Sequence, residues 1–533
     1  MSEISSDNTI ALTIDAQAVE VPPGATLLEA ARQAGIEIPT MCFLPGRPAS
    51  TSCMVCVVKV QGHSPLLPAC GTKAEPGMVV ESETPEVHAA RRAALELLLS
   101  EHVGDCLGPC HLACPAQMNI PLMLRQIAAG QLNEAIATVK QDIALPAVLG
   151  RICPAPCEKA CRRRTKDNAV AICLLKRYVA DVDLATQQPY QPVSEGTNGK
   201  RVAIVGAGPA GLSAAYYLAR RGHACTLFDD HDQPGGMVRY SVDEEQLPRE
   251  VLDAEIATIT NLAVQFKPQC TLGHDISLAT LRSEFDAVLI AIGQVEPADA
   301  GGLGLTASDR GVQAQRRTFQ TELPDVFAAG SAVRPTRLAV RACADGRQAA
   351  TAIDQYLTHK PLTGETPPFN SRMGKLQQGE IDVFTALANA AARVENGQVA
   401  DDGLRHEQAR TEAERCLHCD CRKADRCQLR EQAQAYQATV NRYGSERPLF
   451  TQLTQHADLI FEPGKCIKCG ICLTLAREAA EPLGLSFIGR GFDVRVAPPF
   501  DESLADALTQ AAKTCVERCP TGALAWKNQT ISG

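Results

Sequence analysis

Most cysteines in this sequence stand in short-spaced sets, and thiolates grouped in this way are suited to binding metal. The 533-residue chain contains 23 cysteines. Its N-terminus, Met-Ser-Glu-Ile-Ser-Ser-Asp, lacks a charged stretch followed by an apolar one, so no secretion signal is predicted. In a chain without such a signal, closely spaced cysteines indicate metal sites rather than disulfide bonds.

The first set has the spacing C-x10-C-x2-C-x13-C and consists of Cys42, Cys53, Cys56 and Cys70. Four thiolates, three of them on one loop, are what a 2Fe–2S cluster requires. A strand pair within residues 9–21 and a helix over Thr26–Ala34 are predicted to support this loop. The segment resembles the ferredoxin-like start of the large peripheral-arm subunit of complex I and of iron hydrogenases. That resemblance implies a β-grasp 2Fe–2S domain, and a zinc site is the alternative.

A second metal region contains His102, Cys106, Cys110, Cys114, Cys153, Cys157 and Cys161. The sequence between its two halves is helical in period. Its text, which includes ALPAVLGRICPAPCEKAC at residues 144–161, is similar to the N-terminal domain of the glutamate synthase small subunit and of dihydropyrimidine dehydrogenase. The resemblance implies an α-helical domain with two 4Fe–4S clusters, one held by Cys106, Cys110 and Cys161 and the other by Cys114, Cys153 and Cys157.

The fourth ligand of each of these clusters is open, because the chain has one cysteine fewer before Cys110 than that family has. His102 stands four residues before Cys106, the spacing seen for a histidine-ligated cluster in the complex I subunit. We therefore predict His102 as a ligand, with a helix-end histidine as the alternative. Cys173 is available to the second cluster, and a buried core cysteine is an equally good interpretation of it.

Two further sets lie towards the C-terminus. Cys416, Cys419, Cys421 and Cys427 have the spacing C-x2-C-x-C-x5-C, which indicates an iron–sulfur or zinc site.

The last set has the spacing C-x2-C-x2-C and consists of Cys466, Cys469 and Cys472. It resembles a bacterial two-cluster ferredoxin that has lost one cluster. In such proteins a distant Cys-Pro cysteine completes the trio, here Cys519. Ala476 occupies the position that would serve the other cluster, so one 4Fe–4S cluster is predicted, with Cys515 as a spectator. Cys225, Cys270 and Cys343 stand alone and are expected to be core residues.

A glycine-rich turn lies in the middle of the chain. The apolar run Val202–Val205 predicts a strand of a parallel sheet. Gly206, Gly208 and Gly211 follow at GxGxxG spacing, and the helix they open, which starts with Pro209 and Ala210, would place its N-terminus at a pyrophosphate. Asp229 follows Gly208 by 21 residues, at the end of a second strand, where an acid can hold a ribose hydroxyl.

The likeness to the glutamate synthase small subunit continues beyond this turn, through the segments 234–240, 247–251, 285–293 and 325–330. It implies a Rossmann-like FAD domain in which the cofactor site also includes Gly236, Gly293, Gly330 and Ser331. The family usually has an aspartate where this chain has Ser331, which can hydrogen-bond but carries no charge.

The family also inserts a whole NAD(P)-binding domain between the last two of these segments. Here only 36 residues separate Gly293 from Gly330, whereas a second doubly wound domain needs on the order of 100 residues. We therefore predict a FAD domain without the NAD(P) insertion.

Charge and composition exclude several functions. The net charge is −9 and no long basic tract is present, so nucleic acid is not an expected partner. No stretch predicts a membrane anchor, and we expect a cytoplasmic protein.

The sequence thus predicts a multidomain α/β and α+β fold. The expected divisions are a 2Fe–2S ferredoxin-like domain at 1–85, a helical double-cluster domain at 86–190, a FAD domain at 198–362, a linker with a metal site at 363–440 and a 4Fe–4S ferredoxin-like domain at 441–533.

Nothing in the sequence resembles a site for substrate chemistry. The first interpretation is an electron-transfer subunit of a larger oxidoreductase, carrying FAD, one 2Fe–2S and three or four 4Fe–4S clusters. A catalytic metalloenzyme subunit, of formate or aldehyde dehydrogenase or hydrogenase type, and a diaphorase subunit are the expected partners. The alternatives are a self-standing NAD(P)H-dependent reductase and a scaffold with a vestigial flavin site.

Overall fold

The chain folds as a multidomain α/β and α+β protein, as predicted. A computed structural model describes residues 9–395, 403–444 and 446–527. None of the helices in these ranges combines the length and the apolar character needed to cross a membrane.

The strands, in chain order, are β1 (Ile10–Ile14), β2 (Gln17–Val21), β3 (Val57–Val60), β4 (Leu67–Pro68), β5 (Val79–Glu81), β6 (Arg201–Val205), β7 (Ala224–Phe228), β8 (Gln265–Lys267), β9 (Ala287–Ile290), β10 (Ala307–Ser308), β11 (Gly311–Val312), β12 (Val326–Ala328), β13 (Leu459–Phe461), β14 (Ser486–Ile488), β15 (Arg495–Ala497) and β16 (Leu524–Trp526).

The helices are α1 (Leu27–Gln33), α2 (Pro85–Ser100), α3 (Pro109–Ala113), α4 (Ile120–Ala128), α5 (Leu132–Asp142), α6 (Pro146–Ile152), α7 (Pro156–Lys159), α8 (Ile172–Leu184), α9 (Pro209–Arg220), α10 (Met237–Tyr240), α11 (Arg249–Thr260), α12 (Leu278–Glu284), α13 (Pro297–Gly302), α14 (Ala339–Leu357), α15 (Glu380–Thr385), α16 (His406–Ala413), α17 (Gln428–Ala435), α18 (Ile471–Glu478), α19 (Leu504–Ala507) and α20 (Ala512–Arg518).

The chain forms two compact units. Unit 1 comprises Met1–Leu107, Pro368–Phe384 and His418–Gly533, and unit 2 comprises Gly108–Pro367 and Thr385–Leu417. The finer division into five domains stays a prediction.

The N-terminal part of unit 1 is a five-stranded sheet with the order β2-β1-β5-β3-β4. Strands β1 and β2 form the predicted antiparallel pair, in which Ile10 faces Val21. Helix α1 begins after Thr26, whose side chain accepts a hydrogen bond from the Glu29 N–H while Glu29 bonds back to the Thr26 N–H. This capping box fixes the helix start, as expected for a Thr-x-x-Glu sequence.

The C-terminal part of unit 1 is built from two antiparallel strand pairs, β13 with β16 and β14 with β15. Helices α18 and α20 pack against each other and bury Ala476, Cys515 and Val516. This arrangement holds the last cysteine set between short helices and strands.

The first half of unit 2 is helical. Helix α6 packs on α8, and α4 packs on both α5 and α16. Pro146 starts α6, where the missing N–H costs nothing, and the buried Glu255 accepts hydrogen bonds from the Ala147 and Val148 N–H groups at 2.6 and 2.8 Å. Cys153 directly follows the C-terminal end of this helix.

The second half of unit 2 is a five-stranded parallel sheet with the order β12-β9-β6-β7-β8. Helices α9 and α14 pack closely together beside it. Between β9 and β12 the chain forms only α13 and the two-residue strands β10 and β11. The segment thus contains no second parallel sheet, as its length predicted.

Candidate functional site

The glycine-rich turn joins β6 to α9 as the sequence predicted. Gly206 has a φ of +105°, and a Cβ there would collide with the backbone of Ala291. A Cβ at Gly211 would collide with the Gly206 carbonyl oxygen, so this glycine allows the close packing of helix on strand. A Cβ at Gly208 would meet nothing closer than the Gly236 Cα at 3.9 Å. Gly208 therefore leaves open space above the loop.

That space is part of a cavity of about 1160 Å³ in unit 2. Of the predicted cofactor residues, eight line it: Gly206, Gly208, Pro209, Ala210, Asp229, Gly236, Gly293 and Ser331. The other two, Gly211 and Gly330, pack against the lining residues Gly206 and Ala210 respectively. Gly330 has a φ of +67°, and a Cβ there would come within 2.9 Å of the Ala210 Cβ. The cavity can accept a large nucleotide with its phosphates at the N-terminus of α9.

Asp229 lies at the end of β7 and is 6% exposed. One carboxylate oxygen accepts the Ala207 N–H at 2.5 Å, and the other accepts the His231 N–H at 3.0 Å. The acid therefore ties the glycine-rich loop to the second strand. The oxygen that accepts the His231 N–H also contacts the His231 Nδ1 at 3.1 Å, so the oxygen bonded to Ala207 is the one with a second lone pair for a ribose hydroxyl.

Ser331 follows the last strand of the sheet and lines the same cavity. Its hydroxyl donates a hydrogen bond to the Thr336 carbonyl at 3.3 Å. The hydroxyl thus closes a turn of its own loop and provides an uncharged polar group at the cavity wall.

Several cavity residues were missed by the sequence reasoning. The imidazole of His231 stacks on the Tyr240 ring, with 4.3 Å between the ring centroids. Ile152, Cys153 and Pro154 also line the cavity. A cysteine predicted to bind a 4Fe–4S cluster therefore borders the cavity beside the glycine-rich loop. No local pattern indicates this, because the two segments meet only in the folded unit.

The first cysteine set is brought together in unit 1. Cys42, Cys53, Cys56 and Cys70 are all buried, and the sulfur atoms of Cys56 and Cys70 are 3.4 Å apart. Hydrogen bonds from the Cys53 and Cys70 side chains lower the pKa of Cys42, and one from Cys70 lowers the pKa of Cys56 to about 7. Four convergent thiols fit the predicted 2Fe–2S cluster.

A second group of thiols lies in unit 2. Cys173 on α8 is hydrogen-bonded through its sulfur to both Cys153 and Cys157, and its N–H donates to the Glu158 carboxylate at 2.9 Å. Cys114 is close enough to Cys153 for the two thiols to affect each other's ionisation. The thiols of Cys114, Cys153, Cys157 and Cys173 thus lie close together, and Cys173 stays a predicted fourth ligand.

Lys176 lies one helical turn from Cys173 and is 4% exposed. Burial opposes its charge, but the Cys173, Cys153, Cys157 and Cys114 thiolates raise the pKa of Lys176 above its usual value. A buried ammonium group at this position would compensate the negative charge of a thiolate-ligated cluster in the core.

Cys110, Cys161 and Cys416 also lie in unit 2 and pack on its core. Cys110 lies in α3 and Cys161 follows α7, and these two helices are in contact. The Arg163 guanidinium donates a hydrogen bond to the Arg415 carbonyl at 2.6 Å, which places the residue before Cys416 beside the turn that follows Cys161. This hydrogen bond links the chain next to Cys416 to the turn that follows Cys161. Cys419 remains a predicted metal ligand.

The last set converges at the start of α18. Thiols of Cys466, Cys469, Cys472 and Cys519 influence one another, and burial, with smaller contributions from these neighbours, raises the pKa of Cys469 to about 12. The Lys468 N–H donates to the Cys466 sulfur at 3.4 Å. Cys515 instead donates to the Cys472 carbonyl and is fully buried. Four thiols placed in this way fit the predicted 4Fe–4S cluster, and the spectator role of Cys515 stays a prediction.

His102, Cys106, Cys421 and Cys427 all belong to unit 1. Burial raises the pKa of Cys427 to about 12, and the neighbouring thiols of Cys421 and Cys106 add to this effect. Burial and the charge of Lys465 lower the pKa of His102 to about 4, so the imidazole is neutral. The sequence had placed these residues in two separate metal sites.

The lone cysteines are mostly core residues. Cys225 and Cys343 are buried, with 2% and 0% exposure. Cys270 is half-buried and lines the nucleotide cavity.

Comparison with known families supports this arrangement. Residues 7–85 match the family described as a 2Fe-2S iron-sulfur cluster binding domain, and residues 100–188 match dihydropyrimidine dehydrogenase domain II, a 4Fe-4S cluster domain. Residues 204–264 match an NAD(P)-binding Rossmann-like domain. The chain joins two iron–sulfur domains to a Rossmann-like domain. The predicted 2Fe–2S domain, the predicted dihydropyrimidine dehydrogenase-like 4Fe–4S domain and the predicted Rossmann-like domain are thereby confirmed.

Three relatives are similar to this sequence over part of the chain. The NADP(+)-dependent formate dehydrogenase subunit beta of Moorella thermoacetica is 39% identical over 206 residues, which are 35% of this chain and 29% of the relative. The NADPH-Fe(3+) oxidoreductase subunit beta of Geobacter sulfurreducens is 39% identical over 189 residues, 35% of this chain and 28% of the relative.

The NAD-dependent dihydropyrimidine dehydrogenase subunit PreT homolog of Salmonella typhi is 39% identical over 204 residues, 37% of this chain and 49% of the relative. The aligned regions thus span less than half the length of each of these three relatives. All three are named as subunits of oxidoreductases.

Proposed function

We propose that this chain is an electron-transfer flavo-iron–sulfur subunit of a cytoplasmic oxidoreductase complex. It would pass electrons between a catalytic subunit, of formate dehydrogenase, aldehyde dehydrogenase or hydrogenase type, and an NAD-linked or other acceptor partner. The cofactors carry the redox chemistry, and the protein sets their positions and potentials.

The observation that carries this proposal is the position of Cys153. It lines the nucleotide cavity, and its sulfur is hydrogen-bonded to that of Cys173 in the group of four converging thiols. A cluster held there would lie directly beside the cavity. A redox cofactor in the cavity could therefore exchange electrons with the cluster across one wall of unit 2.

FAD is the nucleotide that we propose for this cavity. The glycine-rich loop and Asp229 suit the adenosine pyrophosphate part of either FAD or a pyridine nucleotide. The cavity also includes Gly293 and Ser331, from the two segments that resemble the parts of the glutamate synthase small subunit that rejoin its FAD domain. FAD bound here would supply both one-electron and two-electron exchange.

Pyridine nucleotide chemistry is assigned to a partner subunit in this proposal. Hydride transfer requires the nicotinamide to be held against the flavin, and such positioning contributes much of the rate. The chain between β9 and β12 forms only α13 and a short hairpin, which provides no second nucleotide-binding domain there. The names of the relatives support a complex linked to formate, ferric iron or NAD(P).

A self-standing NAD(P)H-dependent reductase is the second candidate, because the names of the three relatives contain NADP(+), NADPH and NAD. Stopped-flow mixing of the pure, FAD-loaded chain with NADH and then with NADPH separates the two. The electron-transfer subunit predicts negligible flavin bleaching by either nucleotide, full bleaching by dithionite, and nucleotide-linked activity only after native partner subunits are added. Fast bleaching by a nucleotide alone would establish the reductase.

A scaffold with a vestigial flavin site is the remaining alternative. It predicts that the purified chain neither retains nor rebinds FAD. Measured FAD in near-stoichiometric amount, released on denaturation, would exclude it.

A further inference from the structure

Cys421 is held against Cys106 although the two are far apart in the sequence. The Cys421 N–H donates a hydrogen bond to the Cys106 carbonyl at 3.2 Å. The Ser371 N–H donates to the Cys106 sulfur at 3.4 Å, and the Cys106 N–H donates in turn to the Ser371 carbonyl at 3.2 Å. Backbone N–H groups directed at a cysteine sulfur are a feature of iron–sulfur sites, where they tune the potential.

The chain after Cys421 turns so that Cys427 lies near both Cys421 and Cys106. The Ala424 N–H bonds to the Cys421 carbonyl at 3.2 Å, which starts a short turn of 3-10 helix over Ala424–Arg426. The Gln428 N–H then donates to the Pro520 carbonyl at 2.9 Å and anchors the start of α17. Cys106, Cys421 and Cys427 are only 6–7% exposed. Three buried thiols from two chain segments are thereby gathered within unit 1.

His102 supplies a fourth candidate donor. Its Nδ1 atom is buried and has no hydrogen-bond partner among the described residues. A buried polar nitrogen without a partner is costly in a folded protein, and a metal centre would satisfy it.

The charges around these residues also fit a metal centre. Lys465 is 2% exposed, forms an ion pair with Glu462 and lies near both His102 and Cys421. Its buried ammonium group would offset the negative charge of the ionised Cys421 and Cys106 thiols.

The surroundings favour iron–sulfur over zinc. One buried cluster of unit 1 contains Cys427 together with Cys42 and Cys53 of the 2Fe–2S set and Cys469 of the C-terminal set. A redox centre held by Cys427 would therefore share a continuous apolar core with ligands of two other predicted centres. Zinc has no redox chemistry, so a zinc ion there could not transfer electrons between those centres.

We propose that Cys106, Cys421 and Cys427, with the His102 imidazole as fourth ligand, hold one iron–sulfur cluster in unit 1. The Cys416–Cys427 motif is then shared between two sites, since Cys416 packs in unit 2. This inference concerns metal binding alone and holds whether or not a flavin or a partner subunit binds.

The test compares the anaerobically purified full-length chain with Cys106→Ser, Cys427→Ser and the double variant. Each single variant should lose about four iron atoms per chain and the same EPR signal of the reduced protein. The double variant should lose no more iron than either single variant. Cys161→Ser should remove a different signal, and Cys225→Ala, which deletes an equally buried thiol, should remove none.

Persistence of the 2Fe–2S signal reports that unit 1 is folded in each variant. If a serine variant does not accumulate, Cys106→Asp and Cys427→Asp keep an anionic ligand and should both shift the potential of one and the same signal. His102→Cys should retain iron and lower that same potential, because a thiolate adds negative charge to the cluster.

Loss of different signals in the Cys106 and Cys427 variants would overturn the proposal, as would zinc bound at these residues. An unchanged set of potentials in His102→Cys would remove His102 from the ligand set. None of these readouts depends on flavin or on a partner, so failure here is distinguishable from failure of the proposed function.

Discussion

Gly208→Ala should separate nucleotide binding from folding. The Gly208 backbone has φ −77° and ψ −175°, a conformation that alanine adopts readily. The new Cβ would meet no protein atom closer than 3.9 Å. Alanine reduces the entropy of the unfolded chain, which stabilises by about 0.4–1 kcal/mol, but it is a poorer helix N-cap than glycine by a similar amount. The free energy of unfolding should therefore change by less than about 0.5 kcal/mol.

FAD binding should respond differently to the same substitution. The methyl group would project into the space where a pyrophosphate approaches the loop backbone. Losing one charged hydrogen bond costs about 1.5–3 kcal/mol, which corresponds to a roughly 10- to 150-fold weaker FAD complex. Calorimetric titration of FAD into the FAD-free chain measures the affinity, and the Tm of the same samples measures stability.

Two matched variants calibrate this prediction. Gly301→Ala adds a methyl group in α13 that meets nothing within 4 Å, and it should change neither FAD affinity nor folding adversely. Gly211→Ala would collide with the Gly206 carbonyl and should lower both stability and affinity. A folded Gly208→Ala chain with unchanged FAD affinity would refute the assignment of this loop as the phosphate site.

Three further outcomes are expected. Cys173→Ser should remove one 4Fe–4S signal or convert that cluster to one with fewer irons, whereas Cys343→Ser should leave the iron content unchanged. Equal iron content in the two variants would show that Cys173 is a buried core residue and not a ligand. Lys176→Met should lower the potential of that cluster by on the order of 100 mV in a potentiometric EPR titration, since a buried positive charge that favours the reduced state is removed; no shift in any cluster would contradict the role given to Lys176. The Km and rate of any NADH-linked activity measured with partner subunits should be insensitive to His231→Ala, provided that the pyridine nucleotide binds on the partner.

The sequence allowed the local features to be predicted because each depends on a short stretch of chain. The GxGxxG turn, the helix it opens and the C-x2-C-x2-C set are determined by loop geometry over a few residues. The helix that starts after Thr26 and the strand pair before it are equally local. These elements appear where they were predicted.

The grouping of ligands could not be predicted in the same way, because it depends on contacts between distant segments. Cys421 meets Cys106 through a backbone hydrogen bond that no spacing rule encodes. Cys173 has the sequence context of a buried helix residue, and only the packing of α8 on α6 brings it to Cys153. The same packing places Cys153 in the wall of the nucleotide cavity.

Light-driven reduction of the FAD-loaded chain tests the central claim most directly. A flash that reduces the flavin in the presence of a sacrificial donor is followed by absorbance at flavin and iron–sulfur wavelengths, at several protein concentrations. If the cavity beside Cys153 holds the flavin, cluster bleaching should follow flavin reduction as a first-order process whose rate does not depend on protein concentration. Clusters that stay oxidised beside a reduced flavin, or a rate proportional to protein concentration, would contradict electron transfer within the chain.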